Sequence, residues 1–203
     1  NHFIKKVKSK EINIIVFLHS TIDPIRSSSK SLVNIRDSLA LCDRLMVHTI
    51  SDMNRLKCLD LVDNVCIFPH GILDFSPTKS NRFSSFGFNT FKKRRRICSY
   101  GFCLPNKGYS QLIEAVSLLN NRRFNIYLDI YSAIYNSEYL SIYEDLKNLI
   151  YKLNIQNRVT INPKYLSDVQ VLNCLSSYDF TIFPYQQSNE SSSAAVRHGL
   201  SSL

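Results

Sequence analysis

From Glu11 onward the apolar positions switch repeatedly between a continuous run and a spacing of three to four residues. INIIVFLH (Ile12–His19) is an unbroken, β-branched run and predicts a strand covered on both faces. SKSLVNIRDSLALC (Ser29–Cys42) puts Leu32, Ile35, Leu39 and Cys42 on one side of a helix. RLMVHTI (Arg44–Ile50) predicts a second strand, followed by a helix with Ser51 as its N-cap. NVCIFPHG (Asn64–Gly71) predicts a third, stopped by Pro69 and Gly71.

The alternation lapses over Ile72–Phe91, which is rich in Ser, Asn, Pro, Gly and Phe, and resumes after the run KKRRR (Lys92–Arg96). Strands are predicted at RICSY, Phe124–Ser132, Arg158–Pro163 and Asp179–Tyr185. Helices are predicted over Tyr109–Leu119, Ser137–Leu153 and Ser167–Ser176, the last capped by Ser167, and from the serines of SSSAAVRHGL. Strands and helices in this rhythm imply βαβ units and parallel, Rossmann-like sheets with flanking helices. The lapse implies two such sheets: a domain over 1–71, a linker over 72–95, and a second domain over 96–203. Neither end reads as a natural terminus, so the chain is taken as a piece of a longer protein, truncated at both ends.

In open α/β sheets, ligands sit beyond the carboxyl ends of the strands and at the facing helix N-termini. That rule nominates His19, Gly101–Lys107, Tyr131–Ser132, Asn162–Pro163 and Pro184–Ser193. The loop GFCLPNKG (Gly101–Gly108) spends two of only five glycines around Asn106 and Lys107, between a strand and a helix. Its lysine would add an ammonium to helix N–H groups that already favour an anion, or would simply be exposed on a first turn. Glu190 could accept hydrogen bonds from a diol, or could be a first-turn acid that suits the helix dipole. Arg197 reads equally as an exposed helix charge or a phosphate contact. His19 could donate to a phosphate or sugar hydroxyl, or be a satisfied strand-end histidine.

A formal charge of +9 favours anionic partners: phosphorylated small molecules, an acidic membrane surface or nucleic acid. Much of it lies in KKVKSK (Lys5–Lys10) and KKRRR, which read as solvated junctions or as points of membrane attraction. Nucleic acid is disfavoured, because no aromatic-studded sheet accompanies the basic runs. Six scattered cysteines without metal or disulfide spacing suit a reducing compartment. No apolar run reaches the ~18 residues of a membrane span. No Ser/His/Asp constellation and no acidic metal pair is evident.

Three stretches, taken in order, resemble the retaining glycosyltransferases of the GT-B fold, family 4. They are LALCDRLMVHTISDMNRLKCLDLVDNVCIFPHGI, ICSYGFCLPNKGYSQLIEAVSLL and YLSDVQVLNCLSSYDFTIFPYQQSNESSSAAVRHGL. The resemblance implies an acceptor-side domain followed by a nucleotide-sugar domain. It implies that Lys107, with Gly101 and Asn106 in its loop, binds the donor diphosphate. Glu190 corresponds to the first glutamate of the family's Glu-x7-Glu motif and would contact the transferred sugar. His19 would lie near sugar and phosphate, and Asn162 and Pro163 would hold the nucleobase through backbone atoms. Two departures stand out: Phe102 replaces the usual loop arginine, and His198 falls where the second glutamate belongs. In a subset with the Glu-x-Ser-Ser-x-Ala-Val-Arg pattern, Ser192, Ser193 and Arg197 would take over anion binding.

The implied reaction moves a sugar from a nucleotide-diphosphate sugar to an acceptor hydroxyl with retention, without a metal or other cofactor. The acceptor would be a saccharide or a lipid-linked molecule. The setting would be cytoplasmic, with peripheral contact at the inner face of an anionic membrane. The alternative is a non-catalytic nucleotide- or phosphate-binding module of the same fold.

Overall fold

In the computed structural model, residues 2–23, 31–76, 94–186 and 192–203 are described. The chain divides into two compact units, one built mainly from Asn1–Gly71 and one from Ile72–Ser188 with Ala194–Leu203.

The first unit holds a parallel sheet of β1 (Ile15–Leu18), β2 (Arg44–Val47) and β3 (Val65–Ile67), in the order β1-β2-β3. Its core gathers Leu39, Leu45, Val47, Leu56 and Leu61. The central strand is buried, but β1 is an edge strand whose Ile15 and Phe17 are 54% and 49% exposed. The expected two-sided burial of Ile12–His19 therefore fails. Val16 and Leu18 alternate inward onto the core, and Ile15 and Phe17 point to the face that no layer of the described residues covers.

The helix predicted over Ser29–Cys42 is described only from Leu32. It is a 3-10 turn (Leu32–Ile35) running into the short α2 (Arg36–Ala40). Its start is fixed by Asp23, whose carboxylate accepts the Leu32 N–H at 2.8 Å and the Ser31 hydroxyl at 2.5 Å. α3 (Ile50–Lys57) is capped by Thr49 rather than Ser51. Thr49 is extended, with its Oγ1 accepting the Asp52 N–H at 3.1 Å, whereas Ser51 already lies inside the helix. The KKVKSK run is no bare junction either. Its first four residues form the C-terminal half of α1 (His2–Lys8), and Lys8 Nζ donates to both oxygens of Asp43 at 2.8 and 2.9 Å.

The second unit holds β4 (Arg95–Phe102), β5 (Ile126–Ala133), β6 (Val159–Asn162) and β7 (Phe180–Thr181), all parallel, in the order β6-β5-β4-β7. The helices are α4 (Tyr109–Asn121), α5 (Leu140–Lys152), α6 (Asp168–Leu175) and α7 (Ala194–Ser201). Adjacent β4 residues serve opposite cores. Ile97 packs with Ile113, Val116 and Leu146 on one side, and Cys98 with Val171 and Leu175 on the other. Both faces of β4 therefore meet a core.

Gln170 Oε1 accepts the Ser167 N–H at 3.0 Å, closing the start of α6 as expected. The strand predicted over Asp179–Tyr185 pairs only at Phe180–Thr181. Pro184 brings no N–H to a ladder, and the chain turns away after Ile182 to meet the loop that follows β4. Among the described residues no helix is long and apolar enough to cross a membrane.

Candidate functional site

The order β6-β5-β4-β7 reverses direction between β4 and β7, because β5 and β6 extend the sheet to one side of β4 and β7 joins on the other. In open α/β sheets ligands sit at such a switch point, beyond the strand ends, against the two outgoing loops. In this chain those loops are Cys103–Gly108 and Ile182–Gln186.

The first loop is shaped by its glycines. Gly101 has φ 149°, and a Cβ there would lie 3.2 Å from the Tyr109 hydroxyl and 3.8 Å from the Ala195 Cβ. Gly108 is left-handed at φ 69°, and a Cβ would fall 1.9 Å from the Pro184 carbonyl oxygen. Only glycine meets both demands. Between them Pro105–Lys107 form one 3-10 turn, and Gly108 then starts α4 without a side-chain cap. The first closed helical bond is Leu112 N–H to the Gly108 carbonyl. The N–H groups of Tyr109, Ser110 and Gln111 are thus left over at the crevice end of the helix.

The second loop locks onto the first. Gln186 N–H donates to the exposed Asn106's carbonyl at 2.9 Å, and Lys107 Nζ lies 4.0 Å from the centroid of the Tyr185 ring. Lys107 is only 7% exposed, which removes the simple exposed-lysine reading. Buried hydroxyls of Tyr109, Ser99 and Ser132 surround the strand ends, with no hydrogen bond of ordinary geometry among the described residues. Burial pushes the Tyr109 phenol well above its usual range, so it remains a neutral donor. Cationic lysine, leftover N–H groups and neutral hydroxyls together make a crevice suited to an anion.

The remaining candidates are placed unevenly. Asn162 ends the outer strand β6, level with Tyr131 of β5 and, through it, with Tyr100 of β4. Its Oδ1 accepts the Lys164 N–H at 3.0 Å, and Pro163 follows half-buried. Both therefore sit on the same rim as Gly101. Ser192 is half-buried with its hydroxyl enclosed, Ser193 leads into α7, and Arg197 is half-buried on that helix. Glu190 lies outside the described residues.

His198 turns to α6. Its Nδ1 lies 2.9 Å from the Ala194 carbonyl and its Nε2 3.1 Å from Asp168 Oδ1. Both partners are acceptors, so only the imidazolium makes both bonds. Phe102, at the position of the usual arginine, is 42% exposed and meets Tyr135 edge-on at 5.3 Å.

In the first unit His19 follows β1 and closes a cluster with His48 and His70, ring centroids 4.9 to 5.8 Å apart. His48 Nδ1 is 3.0 Å from the Phe68 carbonyl, which can only accept, so that nitrogen carries a proton. In a neutral ring His48 Nε2 then accepts, and His19 Nδ1, 2.9 Å away, must donate. Neutral His19 is therefore left with Nε2 as an acceptor, whereas its imidazolium would donate from both nitrogens. His48 and His70 read as structural from position alone; one supplies the bond that sets this tautomer. Sequence reasoning missed Tyr109, and it nominated Tyr185 only as part of Pro184–Ser193, since nothing in an isolated tyrosine reveals that a lysine will lie over its ring.

No family model matches the chain, and no curated protein matches it by sequence. Solved structures do. TarM of S. aureus, in complex with fondaparinux, α-GlcNAc-glycerol and UDP, aligns at TM-score 0.66 with 14% identity, over 94% of this chain and 35% of that one. A UDP-forming trehalose-phosphate synthase from Burkholderia xenovorans aligns at 0.71 with 14% identity, over 98% and 53%. The pneumococcal O-GlcNAc transferase GtfA, in complex with UDP and GlcNAc, aligns at 0.71 with 11% identity, over 98% and 37%. The fold is the Rossmann-like α/β arrangement of GT-B glycosyltransferases. The chain spans about half or less of the length of these neighbours.

Proposed function

We propose that this chain belongs to a retaining, family 4-type glycosyltransferase, and that its second unit binds a nucleotide-diphosphate sugar. The observation that carries the proposal is the mutual seating of the Lys107 loop and the Pro184–Gln186 loop at the sheet's switch point. The donor's diphosphate would lie against Lys107 Nζ and the leftover N–H groups of α4. These would stabilise the charge that grows on the departing diphosphate as the glycosidic bond breaks. Arg197, Ser192 and Ser193 are the further candidates for that anion. The backbone at Asn162 and Pro163 would hold the base. Glu190 would contact the transferred sugar, and His19, in the first unit, offers Nε2 as an acceptor for a hydroxyl. The acceptor hydroxyl, of a saccharide or lipid-linked molecule, would attack from the face the leaving group vacates.

The UDP bound in the neighbouring structures supports this donor class. One observation favours the second reading, a binding module without turnover: His198 stands in place of a carboxylate and is engaged with Asp168.

Calorimetric titration of the intact protein with UDP-, GDP- and ADP-sugars, together with a transfer assay, separates the readings. Lys107→Ala is expected to weaken binding of the preferred nucleotide sugar by about 10- to 100-fold, the worth of a charged hydrogen-bond partner. Glu190→Ala is expected to reduce transfer while leaving nucleotide affinity within a few-fold. Unchanged affinity in the lysine variant would refute donor binding at this crevice. Tight binding with no transfer to any acceptor would establish the second reading.

A further inference from the structure

At the opposite end of the second sheet, β4, β5 and β6 begin around a cavity of about 470 Å³. Arg94, Arg96 and Arg158 line it together with Tyr127, Asp129 and Thr160. Arg96 precedes Gly101 by five strand residues, so the cavity lies roughly 16 Å from the switch-point crevice at ~3.3 Å per residue.

Among the described residues, the three guanidinium groups are held in place in a way that leaves most of their donors unspent. The Cζ atoms of Arg94 and Arg158 lie 4.1 and 4.5 Å from the centroid of Tyr127, and that of Arg96 lies 4.5 Å from the centroid of Tyr178. Stacking fixes the planes without using N–H groups. Arg158 Nη1 donates to Asn125 Oδ1 at 2.6 Å, and Arg96 Nη2 pairs with Asp129 at 3.5 Å. Asp129 is itself engaged by the Tyr178 hydroxyl at 2.8 Å. Each guanidinium offers five N–H donors, so these bonds consume a minority of the fifteen or so present. Three positive charges against one carboxylate leave a local excess of about +2 in a concave site, a repulsive arrangement that a bound anion relieves.

We infer that this cavity is a second anion site, for a compact phosphate-bearing group of about pyrophosphate size, separate from the donor crevice. Rigid planar forks match phosphate oxygens two at a time, which single lysines on a solvated face do not. Size agrees as well, since small-molecule sites begin near ~300 Å³. Such a site also accounts for the three arginines of the KKRRR run. Arg95 pairs with Asp179 at 3.6 Å and anchors the strand, while Arg94 and Arg96 face the cavity. The same chemistry would be presented by a free phosphorylated metabolite or by a phosphomonoester lipid headgroup.

Isothermal titration of the intact protein with inorganic pyrophosphate tests the inference. Two variants are compared: Lys107→Ala, and the double variant Arg94→Gln/Arg158→Gln. The expected result is that the double variant loses at least ten-fold in one class of site that Lys107→Ala leaves intact. Arg94→Gln alone, expected to lose several-fold, serves should the double variant misfold. Wild-type binding in both arginine variants would overturn the site, as would loss of all pyrophosphate binding in Lys107→Ala alone. If arginine-dependent binding persists while Lys107→Ala changes nothing, this site stands and the donor crevice falls. Vesicles containing phosphatidic acid, added in competition, identify the source. Displacement of pyrophosphate assigns a lipid headgroup, and no displacement assigns a soluble ligand.

Discussion

Gly108 is where a single atom decides most. Its left-handed backbone would cost an alanine about 1–2 kcal/mol, and the 1.9 Å approach to the Pro184 oxygen forbids the methyl outright. Gly108→Ala is therefore expected to lose at least ~2 kcal/mol in urea unfolding monitored on the second unit, with donor affinity falling alongside. A variant as stable as the parent would refute the described seating of the two loops. The importance of this glycine was visible in the sequence, since a chain with five glycines does not place two around a lysine without cause. The reason for it was not, because Pro184 lies 76 residues further on. Lys107 was found for its charge, and its burial against Tyr185 could not be. The histidine pair shows the same limit: proximity of His19 and His48 follows from adjacent strands, whereas the tautomer follows from the Phe68 carbonyl.

Secondary structure was legible where tertiary packing agreed with local pattern. α4 and β5 fall close to their predicted spans, because an apolar stripe and a β-branched run each found a core to face. Ends were poorly legible. Thr49 and Ser51 are both good capping residues two positions apart, and only backbone geometry separates them. Thr49→Ala is expected to cost the first unit about 1–2 kcal/mol, while Ser51→Ala stays within about 0.5 kcal/mol. Equal losses in chemical denaturation would reassign the cap. β7 is short for a related reason. An apolar run is no measure of ladder pairing: DFTIFPY pairs only at Phe180–Thr181, and Phe180 is itself 47% exposed.

At the scale of the molecule, alternation of elements was enough to anticipate two parallel sheets, and strand order was not. That order, β6-β5-β4-β7, creates the crevice, and it depends on contacts between residues some eighty positions apart, such as Cys98 beside Thr181. Each unit carries its own core, so a ligand held by one need not protect the other. If the proposed donor site is right, UDP at a hundred times its dissociation constant would contribute about 2.7 kcal/mol of stability to the second unit. Amide exchange in β4 and α4 is then expected to slow markedly, with Leu45 and Val47 of β2 unaffected. Slowing confined to the first unit would assign the nucleotide to the wrong half of the chain.

The fit of a bare α-carbon against a carbonyl, Gly108 on Pro184, also constrains how such a protein can be altered. A transplanted version of one loop will fail unless the opposite loop travels with it, whereas the β6 end, where Asn162 and Pro163 lie clear of this interlock, can be altered on its own.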